Sequence, residues 1–475
     1  MLRPELLSQA AKAFPGLNLT HIENSVLAAI LNARVEDISQ LSAAGARRAP
    51  EASFLKALQA EPSKRHFILE FKQSSPTLGD FCKDFDEASL LKSYEKYADA
   101  LSVLTEPRFF KGSFERLSRV KEQTSLPVLA KDFIISEKQI DLAQSAGADA
   151  VLLMTSVLLP ERLLSLYRYA AGLGLDVLVE ADSEESARFA ALHRFPIVGV
   201  NNRQMKDLSI DFSRTRRLAP LFDMDQIVIS ESGIRSFSDF AKLGHTRNFL
   251  IGSALSGSEN PDQKAHSLFF GLNKVCGITT REAFGTAIRS GAAMAGFVFY
   301  GPSPRAVSPQ KAREIIDGRH RDILTVGVFV NESIGTVASV VKETGLRAVQ
   351  LHGKETPAYI QSLKKALPGI LVIKAVQAQA NLKEISESYL AYADFVLLDS
   401  SAPGSGTAFD WSALDDGLPR SRMLLAGGIG EDNLRGALSL GFAGLDMNSR
   451  LESSPGVKPP EKIESAFKTL YRCLR

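Results

Sequence analysis

Short apolar runs rich in leucine and β-branched residues recur sixteen times between residues 67 and 449, each followed by a longer segment with helical periodicity. That alternation is the mark of parallel β/α units. The first eight runs are Phe67–Lys72, Ala100–Thr105, Pro127–Phe133, Ala150–Met154, Asp176–Ala181, Ile197–Asn202, Gln226–Ser232 and Phe249–Leu255. The second eight are Asn273–Ile278, Met294–Tyr300, Leu324–Val330, Ala348–His352, Leu371–Val376, Phe395–Ser400, Met423–Ile429 and Gly444–Ser449. The runs are continuously apolar instead of alternating, as a parallel sheet covered on both faces requires. Eight βα repeats, twice over, predict an α/β chain of two fused (β/α)8 TIM barrels. A doubly wound sheet would stop nearer five or six strands and carry a glycine fingerprint after its first strand, which neither half has.

The expected domains are 1–271 and 272–475, with the junction near Leu272. Residues 1 to about 60 form an N-terminal extension with helical patterns at Ser25–Leu41 and Ala52–Leu58, placed either under the first barrel or over its top. Lysine and arginine total 56 against 54 acidic residues, so no basic excess invites nucleic acid. No apolar run reaches the roughly 18 residues of a membrane span, and Met1–Gly16 lacks a signal-peptide core. Three distant cysteines and seven histidines without ligand spacing predict no disulfide framework and no metal site, in a reducing cytoplasm.

In barrels of this kind, active sites are built at the carboxyl ends of the strands. In the first half those ends carry Glu70 and Lys72, Lys131, Glu180, Asn201-Asn202-Arg203, Glu231-Ser232-Gly233 and Gly252-Ser253. Charge inside apolar runs costs several kcal/mol per group unless it is paired, so its recurrence points to proton-transfer chemistry more than to rim salt bridges. The small residues after strands seven and eight, with free backbone N–H groups, suit a phosphate monoester.

The motifs Glu70-Phe-Lys-Gln-Ser-Ser-Pro-Thr77, Ser102-Val-Leu-Thr105, Leu129-Ala-Lys-Asp-Phe-Ile-Ile135, Leu178-Val-Glu-Ala181, Gly199-Val-Asn-Asn-Arg203, Ile229-Ser-Glu-Ser-Gly-Ile234 and Leu250-Ile-Gly-Ser-Ala254 resemble, in order, those of indole-3-glycerol-phosphate synthase. The resemblance implies ring closure of a carboxyphenylamino-deoxyribulose phosphate with loss of carbon dioxide and water, without metal or cofactor. It makes Lys131 the general acid, gives proton transfer and dehydration to Glu180 and Glu70, and has Lys72 with Asn202 or Asn201 position the substrate. Ser75, Ser232, Gly233, Gly252 and Ser253 would cradle the phosphate, and Pro76, Arg203 and Glu231 complete the binding set. Thr77 and Ser74 depart from the family's usual residues but remove no catalytic group.

The second half has a different inventory: Cys276, Arg305, His352, Asp399, Gly427-Gly428 and Asn448-Ser449. Each has a bland reading: a buried cysteine as a small hydrophobe, the histidine as structural, the arginine as a solvated loop cation. Cys276 acts as a base only if local charge lowers its pKa. Taken together, Asn273-Lys-Val-Cys-Gly-Ile-Thr279, Gly296-Phe-Val-Phe-Tyr300, Ser303-Pro-Arg305, Val349-Gln-Leu-His-Gly353, Leu397-Leu-Asp-Ser400, Gly404-Ser-Gly406 and Leu425-Ala-Gly-Gly428 resemble phosphoribosylanthranilate isomerase. That family performs an Amadori rearrangement. By resemblance Asp399 is the general acid, Cys276 the base, and Arg305 the fork-shaped partner of the anthranilate carboxylate, while His352 lines the pocket. Gly406, Gly427, Gly428, Asn448 and Ser449 would hold the phosphate. Arg450 stands where relatives tend to have a small residue.

The isomerase product is the synthase substrate, so the two halves imply one bifunctional chain acting on phosphosugars, with no obligate protein partner. The competing expectations are a chain with only the first barrel active, Arg450 having spoiled the second, and a phosphosugar-binding protein without turnover.

Overall fold

The computed structural model describes residues 14–18, 26–41, 45–46, 48–61, 64–82, 85–204, 208–258, 260–318, 323–377, 382–400, 410–411, 414–415 and 417–474. Two closed parallel barrels of eight strands each form, as the alternation of runs predicts. In barrel one the strands are His66–Phe71, Ala100–Leu104, Val128–Lys131, Ala150–Met154, Asp176–Ala181, Ile197–Asn201, Ile227–Glu231 and Asn248–Ile251. Closure is made by the first strand against the last, with His66 opposite Asn248. Barrel two runs through Lys274–Val275, Met294–Val298, Leu324–Phe329, Ala348–Leu351, Leu371–Gln377, Phe395–Asp399, Met423–Leu425 and Gly444–Met447. It closes with Lys274 opposite Asp446. The strands are almost wholly buried, which is why they read as unbroken apolar runs.

Many of the helices that follow begin at a serine or threonine whose hydroxyl accepts the backbone N–H three residues on, as at Ser113, Ser183, Thr280, Ser308, Ser333 and Thr356. These caps satisfy otherwise orphaned donors and fix where each loop stops. One element was not expected: the loop after the first strand folds into a small hairpin, Ser74–Ser75 against Gly79–Asp80.

By its contacts the chain divides into 1–235 with 242–262, and 236–241 with 263–475. The helix Pro261–Phe270, read from sequence as the end of barrel one, therefore groups mostly with the second unit.

The extension takes both placements that the sequence left open. Helix Val26–Gln40 lies over the top of barrel one, where Val26 and Ile30 face the mouth. Arg34 from that helix forms an ion pair with Asp132, and both side chains are 1% exposed. Lys138 Nζ donates to the carbonyls of Ile38 (3.2 Å) and Leu41 (2.6 Å) at the helix end. The second helix, Phe54–Gln59, is fastened at the bottom, where Ser53 Oγ and Leu55 N both donate to Asp176 Oδ2 at 3.0 Å. Asp176 opens the fifth strand.

Candidate active sites

At the carboxyl ends of barrel one, four strands bring a lysine and three carboxylates together. Lys131 Nζ lies 2.7 Å from Glu231 Oε2 and 3.4 Å from Glu70 Oε2. Lys72 Nζ sits 3.5 Å from the other oxygen of Glu70. Two glycines make the room: a Cβ on Gly199 would lie 2.0 Å from Glu231 Oε1, and one on Gly252 would lie 2.4 Å from Glu70 Oε1.

The environment separates these groups electrostatically. Burial pushes Glu70 up, but Lys131 and Lys72 outweigh it and hold the carboxyl below its ordinary range. Burial would discharge Lys131, yet Glu231, Glu70 and Glu180 surround it and lift its pKa instead. Lys72 is lowered by burial, and the Lys131 and Arg203 cations push it the same way against Glu70. Glu180 is pushed up to about 8 by burial and the negative charge of Glu231, so it is protonated at neutral pH. Its Oε1 accepts from Asn201 Nδ2 at 3.1 Å.

The mouth encloses only about 100 Å³ beneath the roof helix, small against the roughly 300–1,000 Å³ of a ligand pocket. Its walls include Glu70, Lys72, Ser75, Pro76, Lys131, Glu180, Asn201, Arg203 and Ser232. A larger cavity, of about 810 Å³, opens at the opposite end among His66, Ile227 and Asn248, where barrel strands begin. That end reads as a stability face.

Three sequence expectations need correction. Asn202 is fully buried and turns away from the mouth. Its amide donates to Ser230 Oγ (2.9 Å) and Glu231 O (3.0 Å), and its carbonyl oxygen accepts from Thr215 Oγ1 at 2.8 Å. Neighbouring strand residues point to opposite faces, so Asn201 takes the cavity and Asn202 the packing role. Glu231, expected in the binding set, is 0% exposed and holds Lys131 from below. Gly233 and the Gly252-Ser253 pair flank the mouth at the strand ends; Ser232, with φ 68°, is in the left-handed region usual for glycine.

In barrel two, a cavity of about 580 Å³ is walled by Cys276, Arg305, His352, Asp399, Gly427, Gly428, Asn448 and Ser449. His352 Nε2 is 3.3 Å from Asp399 Oδ2, and Gln350 Nε2 is 3.0 Å from His352 Nδ1. Asp399 Oδ1 accepts from Ser400 N at 2.8 Å, which fixes the carboxylate plane. The third correction concerns Arg305, whose fork is already engaged: Nε and Nη2 reach Glu452 at 2.9 and 2.8 Å. Lys458 Nζ joins the same cluster, 2.8 Å from Asn448 Oδ1 and 2.5 Å from Glu452 Oε1. Burial pushes the Cys276 thiol up, against the lowering that a base needs, although Lys274 pulls it down. Gly406 lies outside the described residues.

Arg450 does not crowd this mouth. Its chain crosses Gly430, and Nη1 lies 3.5 Å from Asp432 Oδ2 with the side chain 45% exposed.

Sequence reasoning missed Arg34, Val26 and Ile30 in barrel one, and Lys274, Asp446 and Gln350 in barrel two. The only available signal was charge inside an apolar run, at Lys274 and Asp446 on the first and last strands of the second set.

Two closed parallel barrels, each with acidic and basic side chains gathered at the carboxyl ends of its strands, define a two-barrel enzyme class. Residues 19–268 match the family model of indole-3-glycerol phosphate synthase, and residues 273–469 that of N-(5'phosphoribosyl)anthranilate (PRA) isomerase. The tryptophan biosynthesis protein TrpCF of Salmonella typhi is 41% identical over 433 residues, covering 89% of this chain and 94% of its own. The protein of that name from Helicobacter pylori strain 26695 is 36% identical over 459 residues, 95% of this chain and 99% of its own. Among solved structures, phosphoribosyl anthranilate isomerase from Thermus thermophilus covers 42% of this chain and 98% of its own, at 34% identity and TM-score 0.39. The chain belongs to the bifunctional indole-3-glycerol phosphate synthase and phosphoribosylanthranilate isomerase family of tryptophan biosynthesis, and it carries both activities.

Proposed function

We propose that barrel two isomerises N-(5-phosphoribosyl)anthranilate with Asp399 as acid and Cys276 as base, and that barrel one closes the indole ring with Lys131, Glu70 and Glu180. The observation that carries this reading is the convergence of each acid–base set on one mouth.

In barrel two, Asp399 protonates the ring oxygen and opens the aminosugar. Cys276 then removes the proton from the adjacent carbon, and the enolamine relaxes to the ketone. His352, in contact with Asp399, orients that carboxyl. Arg305 meets the anthranilate carboxylate with its remaining Nη1, the Glu452 clamp having set its plane. Gly406, Gly427, Gly428, Asn448 and Ser449 receive the phosphate.

In barrel one, the Lys131 ammonium faces the substrate carbonyl. A lysine with a raised pKa yields its proton only to a strongly basic oxygen, such as the alkoxide formed as the aromatic carbon attacks. Carbon dioxide then leaves, its bonding electrons restoring the aromatic ring. Glu180, protonated at rest, delivers a proton to the departing hydroxyl while the ionised Glu70 takes the proton from the adjacent ring carbon, so that the double bond forms as water is lost. Glu70 keeps both lysines charged, Asn201 aligns Glu180, and Ser75, Ser232, Gly233, Gly252 and Ser253 hold the phosphate. Pro76 and Arg203 shape the wall. Every acid and base invoked in these steps is a side chain of this chain.

The reading places the enzyme in the cytoplasm, without nucleic acid, membrane or obligate protein partner. Near-balanced charge supports it, as do Cys82, Cys276 and Cys473, which form no disulfide. Among the described residues no helix is long and apolar enough to cross a membrane.

The test is to give the purified chain phosphoribosylanthranilate and follow indole-3-glycerol phosphate. Product should form with no second protein added; accumulation of the isomerised intermediate, or no turnover, would contradict the assignment. A pH profile probes Glu180. Because its carboxyl stays protonated up to about 8, the synthase rate should hold through neutrality and fall as pH rises past that value. Glu180→Gln should lower the synthase rate by about 10²-fold or more and remove that alkaline fall, with isomerase turnover unchanged. An unmoved alkaline limb in the variant would assign the titration to another group.

A further inference from the structure

A base at Cys276 must work as a thiolate, yet the residue is 5% exposed and its thiol is disfavoured as an anion. Two charged neighbours unused so far bear on this. Lys274 lies two residues earlier, on the short strand Lys274–Val275 that leads into Cys276, and Asp446 pairs with it in register across the barrel closure. Lys274 Nζ is 2.8 Å from Asp446 Oδ2, and the lysine side chain is 0% exposed. Asp446 also borders the cavity that holds Cys276 and Asp399, and its buried Oδ1 has no hydrogen-bond partner in the structure.

Such a pair is a weak stabiliser, because desolvation of both charges roughly cancels their attraction and apolar residues would serve the core as well. Its placement suits the thiol instead. A Cβ on Gly296 would lie 2.9 Å from Cys276 Sγ and 3.2 Å from Lys274 Nζ, so thiol and ammonium border one cleft that the glycine keeps open.

We propose that Lys274 and Asp446 are positioning residues of the isomerase step: the Lys274 ammonium stabilises the thiolate of Cys276, and Asp446 holds that ammonium in place inside the barrel. The inference rests on Cys276 being the base. Burial alone would discharge Lys274, but Asp446 and the sulfur keep it charged, up to about 12. The other groups facing Cys276 do not replace it. Lys458 is neutralised by Glu452, and Arg305 is clamped by the same carboxylate. His352 engages Asp399, which when ionised acts against ionisation of Asp446.

The test uses the full chain with Cys82→Ser and Cys473→Ser, so that iodoacetamide reports on Cys276 alone. Lys274→Met with Asp446→Asn replaces the ion pair by neutral groups of similar size and leaves no buried charge unpaired. The midpoint of alkylation against pH should rise by about one unit or more, which lowers the thiolate fraction near neutrality about tenfold. Isomerase kcat at neutral pH should fall to match, with KM little changed, and the deficit should shrink as pH rises. An unmoved midpoint, or a loss of kcat equal at every pH, overturns the inference. Cys276→Ala separates the two failures: if isomerisation survives it, the base assignment itself is wrong; if it abolishes isomerisation while the midpoint stays put, only the role of the pair fails.

Discussion

Lys131→Met should reduce synthase turnover by about 10³-fold while leaving isomerase turnover in the same preparation unchanged. Methionine follows the lysine stem to Cε and stops one atom short of Nζ, so the mouth nearly keeps its shape and loses one charge. That charge faces the reacting carbonyl and also neutralises Glu70 and Glu231, which are 3% and 0% exposed. Removing one partner of a buried ion pair commonly costs about 3–5 kcal/mol, so barrel one should also unfold more easily. The cost should depend on pH with a definite sign. Glu70 is held below its ordinary range by Lys131 and Lys72, so its contribution is present above the unfolded carboxyl pKa and fades as pH falls through the folded one. The variant loses much of that contribution, so its stability deficit should be larger at pH 7 than at pH 4. Parallel synthase and isomerase assays, with denaturant unfolding at both pH values, check this. Synthase activity within tenfold of the parent would remove Lys131 from the chemistry.

The sixteen strands were legible because a parallel barrel buries both faces of every strand, and few folds other than a barrel space so many continuous apolar runs along a chain of this length. Their ends were less so. The run Phe249–Leu255 merged the strand Asn248–Ile251 with the helix Ser253–Ser256, since Ala254 and Leu255 are as apolar in the helix as they would be in a strand. The adjacent asparagines show a second limit. One of Asn201 and Asn202 must face the mouth, but in a run buried on both sides no alternation of polarity marks the inward parity. The contact with Glu180 settles it. Other features rest on separations that no local pattern encodes: Arg34 meets Asp132 across 98 residues, and Lys274 meets Asp446 across 172. The ionisation of Cys276 was hidden from the sequence for a related reason. A motif shows that a thiol is present, whereas the balance between its burial and a buried ammonium depends on where the chain closes.

Asp399→Asn should abolish isomerase turnover, by about 10³-fold or more, and leave conversion of the added intermediate by barrel one intact. The substitution isolates the proton. An asparagine has the outline of the aspartate, its oxygen still accepts from Ser400 N, and the neighbouring His352 keeps a polar partner in the place now 3.3 Å away. Apart from Gly406, the phosphate and anthranilate contacts lie on other loops, so KM should change far less than kcat. A loss in kcat without a loss in binding is the signature of an interaction made only as the ring opens. Phosphoribosylanthranilate would then accumulate in a coupled assay although the synthase half still turns over. If Asp399→Asn instead kept a tenth of the parent rate, the ring oxygen would be taking its proton from another donor. His352, already directed into the same cavity, would be that donor, and His352→Gln in the Asp399→Asn background would then remove the remaining activity.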